Sequence, residues 1–366
     1  MDTKPMPFVP PHPVPRTEPP THLETIRTVM RNPLELWGEI TYREPCIKAR
    51  FLNETTVIAN HPELIRHVLV DNAKNYKMAR IRQLILRPIL RDGLLTAEGE
   101  IWKRSRKAMA PVFTPRHIHG FAEMMLAATD QFAEKYREQE AVHDISHDMT
   151  ELTFEVLSAT LFSGEVVTDG VDFSTDVDEL LSTMGSVDPL DLLKAPEWLP
   201  RIRRLRGRKV LDKFRSVVRN TMDMRRAKLQ SNPDDVANDF LTLLLNAEGP
   251  SGLTADEIED NLITFIGAGH ETTARALGWT LYLLSKAPHE RIIVEDEIDQ
   301  VLKSDPEPVQ WLELMPKTRA VFEEAMRLYP PAPSINREAI ETEVFTFKSG
   351  EEVEISKGNT VLVMPW

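Results

Sequence analysis

The chain is 366 residues long, 42% hydrophobic and 28% charged, with a formal charge of 44 − 57 = −13. That length and composition fit one large core or two ordinary domains and exclude a disordered chain. The acidic balance repels nucleic-acid phosphate, no apolar run approaches the roughly 20 residues of a membrane span, and the single cysteine, Cys46, can form neither an intrachain disulfide nor a multi-cysteine metal site.

Residues 1–20 hold eight prolines, which favour an extended polyproline conformation. Residues 1–22 are read as a tail wrapped over the surface, with a partner-binding peptide as the alternative, and 23–366 as one domain. No charged segment followed by an apolar one marks a secretory signal, and a reducing, cytoplasmic setting is expected. Residues 47–53 and 55–60 are apolar and β-branched around Asn53-Glu54, the pattern of a hairpin. Helical patterns dominate from Pro62 to Tyr329, punctuated at Asp92-Gly93, Thr114-Pro115, Ser163-Gly164, Asn232-Pro233 and Gly249-Pro250. Three short strands, 343–348, 351–356 and 359–364, close the sequence. The expected fold is mainly α, a single large helical domain with a small β-sheet built from both ends of the chain.

Within the helical stretch, Trp102 and Arg106 are i, i+4 neighbours on a helix ending near Pro111 and could offer two donors to one anion. A basic surface helix with one packed indole is the plainer reading. Thr254-Ala255-Asp256-Glu257 is a capping box opening a helix to Lys286, roughly 50 Å long. Its middle, Gly267-Ala268-Gly269-His270-Glu271-Thr272-Thr273, places two glycines where each costs about 1 kcal/mol and polar groups where apolar ones are expected. A packing site for a crossing helix would explain this. Zinc would not, because the second histidine of H-E-x-x-H is replaced by Ala274. A cofactor laid against the thinned face would, with Glu271 and Thr272 managing protons. Further on, Glu324 and Arg327 share a face of a short helix running into Tyr329-Pro330-Pro331; an arbitrary pair of this kind is an exposed one.

Taken in order, W-x-x-x-R (Trp102, Arg106) followed by Ala110-Pro111-Val112-Phe113, A-G-x-E-T (Ala268 to Thr272), and E-x-x-R (Glu324, Arg327) followed by Lys357-Gly358-Asn359-Thr360 resemble the haem-thiolate monooxygenases, the cytochrome P450 family, over nearly the whole chain after the tail. The soluble bacterial type is the better match. The resemblance implies that Trp102 and Arg106, and Arg337 with them, bind a haem propionate. It implies that Ala268 and Gly269 let the long helix pass close to the haem. Thr272 would hydrogen-bond the oxygen being activated or its water, Glu271 would supply protons, and Glu324 with Arg327 would form a buried structural pair. It implies a haem b cofactor, O2, a lipophilic small-molecule substrate met around 81–95 and 180–193, and a redox partner such as ferredoxin or flavodoxin with its reductase. The family's axial cysteine lies in a loop before a final helix; neither is found before Trp366, and Cys46 lacks the loop pattern. The expectation is therefore an incomplete chain with no metal ligand, inactive alone. A non-catalytic helical remnant that binds a ligand or partner is the competing reading.

Overall fold

The computed structural model describes residues 8–51, 54–138, 142–166, 188–192, 195, 199, 201–250 and 252–364. In chain order its main elements are α1 (His22–Arg31), β1 (Cys46–Phe51), β2 (Glu54–Ala59), α2 (Pro62–Arg66), β3 (Tyr76–Met78), α3 (Arg80–Leu90), α4 (Gly99–Met109), α5 (Pro115–Glu138), α6 (Ile145–Phe162), α7 (Ile202–Ser231), α8 (Phe240–Asn246), α9 (Ala255–Lys286), α10 (Pro288–Leu302), α11 (Pro316–Leu328), β4 (Ile335–Ala339), β5 (Glu343–Thr346), β6 (Glu352–Ile355) and β7 (Thr360–Val363). The fold is mostly helical with a small sheet, as expected from the sequence. The described residues gather into two compact units, one within 89–166 and 203–331 with Phe8, the other within 9–88, 188–202 and 332–364.

The second unit is built on a five-stranded sheet of order β1-β2-β7-β4-β3. β1 and β2 pair antiparallel, Cys46 opposite Ala59, as the hairpin pattern predicts. β2 then pairs parallel with β7, Thr56 opposite Thr360, so strands from the two ends of the chain share one sheet. Val57, Ala59, Val361 and Val363 bury one face against Leu64, Val68 and Tyr76, each large aliphatic contributing about 1.5–3 kcal/mol. β3 and β4 were not legible in sequence: each is short, and β4 carries Asn336, Arg337 and Glu338 in its middle. The proline-rich segment is tied down by Arg16, whose N–H donates to the Trp37 carbonyl at 3.0 Å and whose carbonyl accepts from Glu39 at 3.0 Å.

In the first unit α9 packs along α6 and against α11, and α5 packs on α6. Leu241, Leu244, Ile258, Leu262, Ile263 and Ile266 are buried there. Two buried arginines of α7 pair with acids through their terminal guanidinium nitrogens. Arg215 donates to Glu259 at 2.6 Å and Asp260 at 2.9 Å, and Arg225 donates to both oxygens of Asp239 at 2.7 and 2.8 Å. A buried charge is tolerated only when so paired.

Candidate active site

α9 forms the axis of the site. The Thr254 hydroxyl accepts from the Glu257 N–H at 3.2 Å, and the Glu257 carboxylate accepts from the Thr254 N–H at 2.8 Å, the reciprocal box that starts the helix. From Ile258 to Thr264 every side chain is buried; further along, one face opens. Ala268 and Thr272, four residues apart and so on one face, are both exposed. One turn earlier Phe265 stacks on Phe113 with ring centroids 5.8 Å apart. The Thr272 hydroxyl donates to the Ala268 carbonyl at 2.6 Å, which commits its proton and leaves its oxygen as an acceptor. Glu271 is half-exposed, with Arg275 Nη2 3.5 Å away.

The rest of the motif faces inward. A Cβ on Gly269 would stand 2.9 Å from Leu157 Cδ1, so this glycine admits the α6 crossing while Ala268 holds the open face. The His270 ring is buried edge-on to Phe154, centroids 5.8 Å apart, and its carbonyl accepts from Thr153 Oγ1 at 3.2 Å. Packing against α6 and an open face on the other side thus coexist in one motif.

On α4, Trp102 and Arg106 are both exposed, and neither side chain has a hydrogen-bond or ion-pair partner among the described residues. Their neighbours are engaged. Lys103 donates to Glu100 at 2.7 Å, and Arg104 forms a two-armed pair with Glu257. Burial resists ionisation of Glu257, yet the Arg104 fork and the Thr254 N–H outweigh it and hold the carboxyl below its usual value. The expected basic face is therefore narrower than the sequence suggested, because Arg104 is a structural cation.

Glu324 and Arg327 do pair, through bonds of 2.7 Å from Nε and Nη2, but their side chains are 54% and 64% exposed. The buried pair implied by the family resemblance is corrected to an exposed one, since both residues lie on the outward side of α11 among the described residues. Arg337 lies on β4 in the other unit, half-buried, where its Nη1 donates to the Asn336 carbonyl at 3.1 Å. Burial, and after it the charge of Arg337, lowers the pKa of nearby Arg82.

The free donors of α4 and the small-residue face of α9 fit a flat, largely apolar group that carries carboxylates. Cys46 does not fit as its iron ligand. It sits at the start of β1, packed on the sheet core, and burial pushes its thiol up, disfavouring the thiolate.

The profile of the family "Cytochrome P450" matches residues 39–366. The chain belongs to the cytochrome P450 family. Haem is the cofactor that this membership implies. The crystal structure of the cytochrome P450DA heme domain superposes with a TM-score of 0.75 at 22% identity, over 96% of this chain and 76% of that one. Among curated P450 relatives, cyclooctatin synthase of Streptomyces melanosporofaciens is 28% identical over 85% of this chain and 67% of its own. The protein LUTEIN DEFICIENT 5, chloroplastic, of Arabidopsis thaliana is 27% identical over 83% and 54%. A bifunctional cytochrome P450/NADPH–P450 reductase of Bacillus subtilis is 27% identical over 90% and 31%. The chain thus spans between about a third and two thirds of these relatives' lengths. No described helix is long and apolar enough to cross a membrane.

Proposed function

We propose that this P450 chain serves a haem-dependent monooxygenase acting on a lipophilic small molecule, and that the exposed Ala268–Thr272 face of α9 carries the assignment. When bound, haem supplies the redox chemistry that cleaves O2. The overall change balances as R–H + O2 + 2 e⁻ + 2 H⁺ → R–OH + H2O, with both electrons drawn from an external donor of the ferredoxin or flavodoxin class and its reductase. A relative that joins a cytochrome P450 and an NADPH–P450 reductase in one bifunctional protein supports electron delivery from a reductase. Trp102 Nε1 and the Arg106 guanidinium are the groups of this chain that would hold a propionate, since both are exposed and uncommitted among the described residues. Ala268 keeps the helix face thin. Thr272 Oγ accepts a hydrogen bond at that face, its own proton being held by the Ala268 carbonyl at 2.6 Å. The half-exposed Glu271 carboxylate can exchange protons with solvent and deliver them next to Thr272.

A cavity of about 1010 Å³ lies within the second unit, lined by apolar residues such as Trp37, Ile81 and Leu84, by charged ones such as Arg16, Glu44 and Lys48, and by none of the α4 or α9 site residues; the lipophilic substrate rests on the family resemblance. Ile81 and Leu84 belong to the stretch that the resemblance assigns to substrate, whereas of 180–193 only 188–192 fall among the described residues. A cytoplasmic setting, which suits a free thiol and a soluble donor, belongs to the same proposal.

Thr272→Ala tests the reading in a haem-loaded version of the protein extended by a family-type axial-cysteine loop and final helix. Removing the hydroxyl should leave folding intact and divert at least about half of the reducing equivalents to peroxide or water. An unchanged yield of product per electron pair removes Thr272 from the mechanism.

A further inference from the structure

Glu257, Asp260, Asn261 and Thr264 recur at i, i+3, i+4 and i+7, the spacing that core residues ordinarily hold on a helix. All four are buried. Three are engaged by side chains or backbone of other elements, whereas the Thr264 hydroxyl donates to the Asp260 carbonyl at 2.7 Å. Glu257 receives the Arg104 fork from α4. Asp260 receives Arg215 at 2.9 Å and the Asp92 N–H at 3.3 Å. Asn261, fully buried, uses both ends of its amide: Oδ1 accepts from the Leu94 N–H at 2.8 Å and Nδ2 donates to Ser105 Oγ at 3.2 Å. Ser105 is also fully buried and lies on α4 between Trp102 and Arg106. The backbone near Leu94 lies directly on the stripe, because a Cβ on Gly93 would stand 2.0 Å from Thr264 Oγ1 and 2.6 Å from the Asp260 carbonyl.

We propose that Asn261 is a positioning residue of the cofactor site: its side-chain amide brackets α4 and the segment around Leu94 to α9, and so sets Trp102 and Arg106 against the helix that carries Ala268 and Thr272. The proposal rests on reading α4 and α9 as cofactor-binding elements. The choice of side chain follows from the bonds. A leucine would leave the Leu94 N–H and the Ser105 hydroxyl buried without this partner. An aspartate would add a carboxylate next to Glu259 and Asp260, which already share Arg215.

Hydrogen exchange on the 366-residue chain separates the two arms of the bracket. Ser105→Ala cuts only the α4 arm, so α4 amides should exchange about tenfold faster while the Leu94 amide is unchanged. Asn261→Leu cuts both arms and should quicken α4 and Leu94 alike by about tenfold. Exchange in α10 should stay within about twofold in either variant. Unchanged exchange in α4, or equal loosening of α4 and α10, overturns the proposal, and Ser105→Ala carries the test if Asn261→Leu does not fold. Haemin is then added to each chain. It should slow α4 exchange in the unmutated chain and less so in Ser105→Ala; equal protection in both overturns the positioning role. No protection in the unmutated chain refutes instead the reading of α4 as a propionate site, and the bracket is then judged on the first measurement.

Discussion

At Arg327 the guanidinium meets Glu324 through two bonds of 2.7 Å, a geometry that a buried pair would also show. Exposure separates the two cases. With 64% and 54% of the side chains open to water, solvent screens the charges and each side chain gives up rotamer freedom to hold the fork, so the pair is worth about 0–1 kcal/mol. Arg327→Ala in this chain is therefore expected to fold and to melt within about 2 °C of the unmutated protein. Loss of cooperative melting would restore the buried pair that the family resemblance implies. At Thr272 the deciding feature is directional: the proton points back to Ala268, so what the residue offers outward is an acceptor. Sequence shows that a hydroxyl is present at that position but not which way its proton points.

The helix α9 shows which kind of element could be read in advance. Its capping box, its length to Lys286 and its outlying A-G-x-E-T motif were legible because local chemistry writes them into adjacent residues. The sheet hairpin was legible for the same reason. The sequence groups Gly269 with Ala268 as one thinned face, yet Gly269 meets Leu157 of α6 while Ala268 is exposed, a division that depends on how α6 crosses. The stripe from Glu257 to Thr264 has the spacing of a core face, but acids and amides at that spacing are core only where partners such as Arg104, Arg215 and Ser105 meet them, which the sequence alone does not place. Two of those acids have opposite pH signatures. Glu257 is held below its usual value, so its stabilisation is complete above the ordinary carboxylate range and is lost as pH falls through the folded-state value. Asp260 is raised by burial beyond what Arg215 and the Asp92 N–H return, so its ionised form is costly at neutral pH and that cost fades on acidification. Glu257→Gln should accordingly lower the melting temperature at about pH 7 and flatten its fall toward about pH 4. A variant whose melting curve keeps the full acid sensitivity would show that Glu257 does not contribute to it.

For the molecule as a whole, a net charge of −13 makes any cationic surface stand out to an acidic electron donor. Arg104 is tied to Glu257 and Lys103 to Glu100, which leaves Lys107 as the exposed cation of α4 outside the proposed propionate pair. Lys107→Glu should slow electron delivery at low salt and matter less as salt rises; a rate indifferent to both would place the donor elsewhere.

The same inventory by position governs the iron ligand. Haem-thiolate chemistry needs a sulfur that is deprotonated at working pH and presented to the metal. Cys46 is the one sulfur of that type in the 366 residues. It begins a strand paired to Ala59, packs on the core of the sheet, and has its thiol pushed up by burial, each of which works against metal ligation. The 366-residue chain, purified, reduced and exposed to carbon monoxide, should therefore give no thiolate-type absorption band, even where haemin binds through Trp102 and Arg106. If such a band appears and Cys46→Ser removes it, β1 must open to present that sulfur, and the assignment of Cys46 as a packed structural residue fails.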